Sequence, residues 1–287
     1  MILHETYELS NGVKIPKLGL GTWLLNQEET AKAVGDAVRL GYRHIDTAQA
    51  YENEEGVGAG LKACGFPREQ IFVTTKIRAE HKTYESAAAS IDESLQKLGL
   101  DAIDLVMIHS PQPWKEFRTE SNRYFAENRE VWRALENAYQ AGKVRAIGLS
   151  NFLRDDLENI LASCEIRPMA NQVLCHVGNT PFELMDFCRR NQILVEAYSP
   201  VAHGAILTHE KVRAIADRYH VSTAQLCLRY DLQLGAVVLP KTANPEHMKN
   251  NADLGFVIAD ADMDVLKKIE KLKNYGRDKD FPVFAKG

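Results

Sequence analysis

A closed barrel of eight parallel strands, each followed by a helix, is the fold that this sequence predicts, on three observations. Eight short apolar runs rich in β-branched residues recur along the chain, and segments with helical apolar spacing separate them. Strands that are apolar on both faces and alternate with helices belong to a covered parallel sheet. The 287 residues suit one such (β/α)8 TIM barrel, read here as a single domain over 1–287, and no Pro/Gly/Ser linker or low-complexity tract divides them. An open doubly wound sheet is the runner-up, because periodicity does not separate closed sheets from open ones.

Ahead of the barrel, residues 7–15 read as a hairpin turning at Asn11-Gly12, placed to plug the barrel's bottom. The strands then follow in order: 17–21 (KLGLG), 42–46 (YRHID), 71–75 (IFVTT), 102–109 (AIDLVMIH), 144–149 (VRAIGL), 169–173 (MANQV), 193–198 (ILVEAY) and 236–240 (AVVLP). Between the first two, Val34, Ala37 and Val38 mark a helix that stops at Gly41. Tyr84, Ala88, Ile91, Leu95 and Leu98 step by four and three, and Val131, Leu135 and Ala138 repeat the pattern before Gly142. The polar, aromatic segment 110–128 after the fourth strand has the make-up of a lid. The tail, 274–287, carries Tyr275, Phe281 and Phe284 and is expected to fold over the top.

Composition excludes several classes of function. Thirty-five basic against 39 acidic residues give a net charge of −4, without the basic face of a nucleic-acid binder. No apolar stretch approaches the ~18 residues of a membrane span, and the first residues (MILHETYELS) lack the features of a signal peptide. Cys64, Cys164, Cys175, Cys188 and Cys227 form no C-x-x-C pair, which speaks against zinc ribbons and disulfide frameworks and for a cytoplasmic chain.

In such a barrel the C-terminal ends of the strands face the site. Those ends carry Asp46, Lys76 and His109, and Tyr51 follows five residues after Asp46. Singly, each has a plain role: Asp46 as a helix N-cap, Lys76 as a solvated charge, His109 bonded to backbone, Tyr51 packed at a helix start. Together at one rim they suit proton donation. A phenol with an ordinary pKa of ~10 is a weak acid at neutral pH, and an adjacent Lys76 ammonium is expected to lower it. Asp46 would orient the lysine, and His109 would place a carbonyl oxygen beside Tyr51. No serine or cysteine nucleophile is evident, so hydride from a cofactor is the expected attacking group. Gly56, Gly58 and Gly60 (GVGAG) have the wrong spacing for a dinucleotide loop and no preceding strand. His44 and Asp46 share a strand face, but no second histidine pair supports a metal site, and none is expected.

The segments GYRHIDTAQAY (41–51), IFVTTKI (71–77), DLVMIHSP (104–111), GLSNF (148–152), AYSP (197–200) and LPKTANPEHMKNN (239–251) together resemble the aldo-keto reductases over roughly residues 5–280. Within that family the chain resembles bacterial 2,5-diketo-D-gluconate reductase-like members. The resemblance implies Tyr51, Asp46, Lys76 and His109 as the catalytic set and NADP(H) as cofactor. Gly21, Thr22 and Trp23 would border the nicotinamide, Ser150, Asn151 and Gln172 would bind its carboxamide, and Tyr198 would stack on it. Ser199, Pro200 and the residues to Gly204 would follow the pyrophosphate; Lys241 and Thr242 would hold the 2′-phosphate, and Asn251 the adenine. Two departures stand out. His247 replaces the family's usual arginine, so NAD(H) is expected to be accepted as well. Ser110 replaces a common tryptophan, giving a roomier, more polar pocket beside Trp23 and Trp114 unless Trp114 or Phe117 folds back. Expected partners are small carbonyl compounds, keto-sugars among them, and the resemblance implies a monomer. The competing readings are a nucleotide-sensing subunit without activity and a lyase using Lys76 as a Schiff-base nucleophile; the pairing with Asp46 argues against the lyase.

Overall fold

In the computed structural model, which describes residues 1–118, 122–273, 275 and 283, eight parallel strands form the predicted barrel. A hairpin of β1 (Thr6–Glu8) and β2 (Lys14–Pro16) precedes it. The barrel strands are β3 (Leu20–Gly21), β4 (His44–Asp46), β5 (Phe72–Ile77), β6 (Leu105–Ile108), β7 (Ile147–Ser150), β8 (Ala170–Leu174), β9 (Leu194–Tyr198) and β10 (Val237–Leu239). Each expected run overlaps one strand, with β5 ending two residues and β7 and β8 one residue beyond the expected end, and sequence neighbours pair in parallel throughout. Backbone bonds from Gly19 N–H to Val238 O (3.0 Å) and Gly21 N–H to Pro240 O (3.0 Å) join the first strand to the last and close the ring.

Between strands run α1 (Gln27–Arg39), α2 (Glu54–Ala63), α3 (Tyr84–Leu98), α4 (Phe125–Gln140), α5 (Arg154–Leu161) and α6 (Phe182–Arg190). Then α7 (Glu210–Arg218) and α8 (Thr223–Gln233) separate β9 from β10, and α9 (Pro245–Ala252) and α10 (Asp260–Lys267) follow. Local chemistry sets the ends. At α1 the Asn26 side chain accepts from Glu29 N–H while the Glu29 carboxylate accepts from Asn26 N–H, and Gly41 (φ +101°) makes the exit turn. Gly56, Gly58 and Gly60 lie inside α2 as packing residues. A Cβ at Gly58 would sit 2.6 Å from Leu98 O and one at Gly60 2.7 Å from Ala31 O, so their absence lets α1, α2 and α3 touch backbone to backbone.

The hairpin lies beneath the barrel: Asn11 donates to Arg145 O (2.9 Å), just ahead of β7, and Leu9 and Ile15 are buried. At the opposite end, the segment after β6 is fastened at its base. Lys82 Nζ donates to Ser110 O (3.1 Å), Pro111 O (3.1 Å) and Asn128 Oδ1 (2.9 Å), which brings the two ends of that segment together. Of the tail, Tyr275 packs edge-on to His176 and donates its hydroxyl to the ring's Nε2 (2.7 Å). Phe281 and Phe284 lie outside the described residues. No helix among the described residues is long and apolar enough to cross a membrane, and all five cysteines are unpaired.

Candidate active site

The mouth of the barrel is built from irregular backbone. Leu24, Glu52, Asn151, Ser199, Ala202 and His203 all take left-handed φ values in the loops that follow the strands, a conformation that costs energy in non-glycine residues and gathers at functional sites. These loops surround a cavity of about 800 Å³.

Strands β4 and β5, the turn after β4 and the end of β6 bring Asp46, Lys76, Tyr51 and His109 to its floor. Lys76 is fully buried, and its ammonium donates to both Asp46 oxygens (2.8 and 2.7 Å) and to Thr47 O (2.8 Å). With three hydrogen bonds the group has the geometry of an ammonium rather than of a free amine nucleophile. Tyr51 stands over it, the ammonium 5.2 Å from the ring centroid, and His109 meets the Tyr51 ring edge-on at 5.5 Å between centroids. Tyr51, His109 and Asp46 all line the cavity.

The protonation pattern departs from the expectation in one respect. Burial and the Asp46 carboxylate push the Tyr51 phenol well above its ordinary range instead of below it. Burial is the larger cause; Lys76, which spends its hydrogen bonds on Asp46 and Thr47, does not offset it. Burial, assisted by Lys76 and Arg78, holds His109 well below its usual value, so it is a neutral imidazole, and its Nδ1 is buried without a hydrogen-bond partner.

The opposite wall comes from β7, β8 and β9. Tyr198 donates to Asn151 Oδ1 (2.6 Å), which fixes its ring, and Asn151 Nδ2 donates to His109 O (3.0 Å) and Ser150 Oγ (3.1 Å). Gln172 uses both N–H groups of its amide, one on Asp46 Oδ1 (2.8 Å) and one on Glu196 Oε2 (2.9 Å). Its oxygen is therefore the atom it has left to offer a ligand. Gly21, Trp23, Ser150, Asn151, Gln172, Tyr198, Ser199, Pro200 and Lys241 all line the cavity. Thr22 is buried behind it, bonded to Asp46 O, and Thr242 caps the following turn by accepting from Asn244 N–H. His247 is exposed and Asn251 buried on α9; neither lines the cavity.

At the substrate end the wall belongs to Trp114, not to Ser110. Ser110 is fully buried and its hydroxyl accepts from Gln112 N–H (3.3 Å), whereas Trp114 folds back to pack edge-on against His109, 5.1 Å between centroids. Trp23, Leu24 and Ala50 complete an apolar wall, and Arg78 and Glu80 stand at its rim. Those two charges were missed in the sequence although they follow Lys76 by two and four residues, where the strand-end rule points. Glu196 was missed as well; a lone acid inside the apolar run ILVEAY was its signal.

The cavity suits a nicotinamide dinucleotide. Its lining brings together the Tyr51–His109 pair, the tethered aromatic face of Tyr198, the amide groups of Asn151 and Gln172, and the Lys241 cation. The comparisons agree. The aldo/keto reductase family profile matches residues 17–271. The chain is 40% identical over 284 residues to a protein of Bacillus subtilis (strain 168) named glyoxal reductase, covering 98% of this chain and 99% of that one. It is 39% identical to the 9,11-endoperoxide prostaglandin H2 reductase of Trypanosoma cruzi (strain CL Brener), covering 95% and 94% respectively. Among solved structures, an aldo/keto reductase from Brucella melitensis superposes with a TM-score of 0.86 at 37% identity, over 93% of this chain and 99% of that one. An aldo-keto reductase crystallised with NADPH superposes with a TM-score of 0.84 at 30% identity, over 93% and 88%. The chain belongs to the aldo/keto reductase family. It is an oxidoreductase, of the class that exchanges hydride between a nicotinamide cofactor and carbonyl compounds.

Proposed function

We propose that this protein reduces small aldehydes and ketones with Tyr51 as the proton donor. The observation that carries the reading is the convergence of Tyr51, His109 and the buried Lys76–Asp46 pair on one cavity floor. When bound, the nicotinamide supplies the hydride. The chain's own residues do the rest. Trp23 and Trp114 bracket the substrate and keep water from the carbonyl carbon. The neutral His109 ring and the Tyr51 hydroxyl hold the carbonyl oxygen between them. Tyr51 keeps its proton until negative charge develops on that oxygen, because burial makes the phenol a weak acid toward water. Lys76 and Asp46 position the phenol and balance the charge left on it.

Ser150, Asn151 and Gln172 bind the carboxamide, Tyr198 stacks on the ring, Ser199 and Pro200 follow the pyrophosphate, and Lys241 meets the 2′-phosphate. Thr242 shapes that loop, and Asn251 serves the adenine end. With His247 exposed outside the cavity, selectivity for NADPH rests on one flexible lysine, so NADH is accepted too. We read residues 1–287 as one catalytic domain acting as a monomer, and the unpaired cysteines suit a cytoplasmic enzyme.

The test is NADPH oxidation followed by absorbance with methylglyoxal and with 4-nitrobenzaldehyde, and Tyr51→Phe run beside the parent protein. The variant is expected to lose about 10²- to 10⁴-fold in kcat while binding NADPH within about twofold of the parent. Near-normal turnover would remove Tyr51 from the role given to it.

A further inference from the structure

Glu196, in the middle of β9, is fully buried and touches none of the catalytic side chains directly. One carboxylate oxygen accepts from Gln172 Nε2 (2.9 Å), and the same amide group reaches Asp46 Oδ1 (2.8 Å). The other oxygen, Oε1, is buried with no hydrogen-bond partner. A carboxylate oxygen buried without a protein donor favours the protonated form. The charged groups that act on it are Asp46 on β4, which repels its anion, and Lys76 on β5, which attracts it; Gln172 on β8 is neutral. On β10 its register partner is Val237. Lys76 is already matched by Asp46, so an ionised Glu196 adds an unbalanced negative charge one hydrogen bond behind the cavity wall.

We infer that Glu196 is a titrating counter-charge for the nicotinamide end of this cavity, favouring the oxidised cofactor when ionised and the reduced cofactor when protonated. The inference rests on the cofactor placement proposed above. Oxidised nicotinamide carries a positive ring and reduced nicotinamide a neutral one, so only the first interacts with a buried anion through its net charge. Burial pushes the Glu196 carboxyl up to about 8, which puts its ionisation within reach of working pH. NADP⁺ then binds with release of the Glu196 proton to solvent, whereas NADPH binds with the proton retained. Glu196 is thus a positioning residue: it orients the Gln172 amide and sets the field behind it.

The experiment measures dissociation constants for NADP⁺ and for NADPH from about pH 7 to about pH 9.5 by fluorescence titration, with the parent protein and with Glu196→Gln. Both cofactors carry the same 2′-phosphate, whose own titration cancels in the ratio. The parent's preference for NADP⁺ over NADPH is expected to rise roughly tenfold across this range, and that of Glu196→Gln to be flat. A flat ratio in the parent, or a slope that survives in Glu196→Gln, overturns the inference while leaving the cofactor site intact. Failure of both cofactors to bind the parent overturns the site assignment itself. Should Glu196→Gln not fold, calorimetry of the parent near pH 8 in two buffers of different ionisation enthalpy decides the matter. More protons released with NADP⁺ than with NADPH support the inference, and equal release refutes it.

Discussion

Removing Lys76 alone is expected to cost more stability than removing the whole ion pair. Its ammonium lies 2.7 and 2.8 Å from the Asp46 oxygens, and the two side chains are 0% and 5% exposed. At an effective dielectric constant near 20, unit charges about 3 Å apart attract by roughly 5–6 kcal/mol. Desolvating the two ions costs several kcal/mol each, so the intact pair contributes little net stability. Lys76→Met leaves Asp46 buried, with Gln172 Nε2 still donating to it, and adds a cost of about 3–5 kcal/mol. Adding Asp46→Asn removes the stranded charge and is expected to restore about half of that loss. Urea denaturation at neutral pH, followed by the fluorescence of the chain's tryptophans (among them the buried Trp132), measures both variants. A Lys76→Met protein within about 1 kcal/mol of the parent, or a double variant no more stable than it, would refute this account of the pair.

Gly58→Ala should destabilise by about 1–3 kcal/mol, because the new methyl meets Leu98 O at 2.6 Å, whereas Gly255→Ala, with open space around it, should be near neutral; their melting temperatures check this. Lys241→Met should weaken NADPH about tenfold and leave NADH unchanged, and the parent's preference for NADPH over NADH, measured as a ratio of kcat/KM, should stay below about a hundredfold. Glu196→Gln should gain stability relative to the parent as pH rises. A carboxyl raised from 4.5 to about 8 gives stability that is complete below the lower value and lost as pH rises through the upper one. The gap between variant and parent should therefore widen by about 1.4 kcal/mol per pH unit between about pH 5 and 8, read from urea midpoints, and level off above.

The barrel was legible because its strands are apolar on both faces, a pattern that survives without any knowledge of partners. The run 42–46 ends on Asp46 and the run 71–75 ends one residue before Lys76, so strand-end logic brought together two residues that do meet. What it did not convey is direction. Lys76 aims at Asp46 and Thr47, and the burial of Tyr51 beside the Asp46 carboxylate, which only the folded chain creates, raises the phenol where a lowering was expected. The pocket wall shows the same gap between chain position and space: Ser110 is next to His109 in sequence, yet Trp114 covers the ring because the segment after β6 folds back. Glu196 needed Gln172, 24 residues earlier, to have any meaning, and only the pairing of β8 with β9 brings them together.

The three bonds from Lys82 to Ser110, Pro111 and Asn128 divide the molecule's labour. They clamp both ends of the segment that carries Trp114, so its attachment beside the end of β6 is held apart from whatever lies between the clamps. Exchanging the stretch between Pro111 and Asn128 would replace Trp114, the ring that packs on His109, while Asp46, Tyr51 and Lys76 stay on elements of their own.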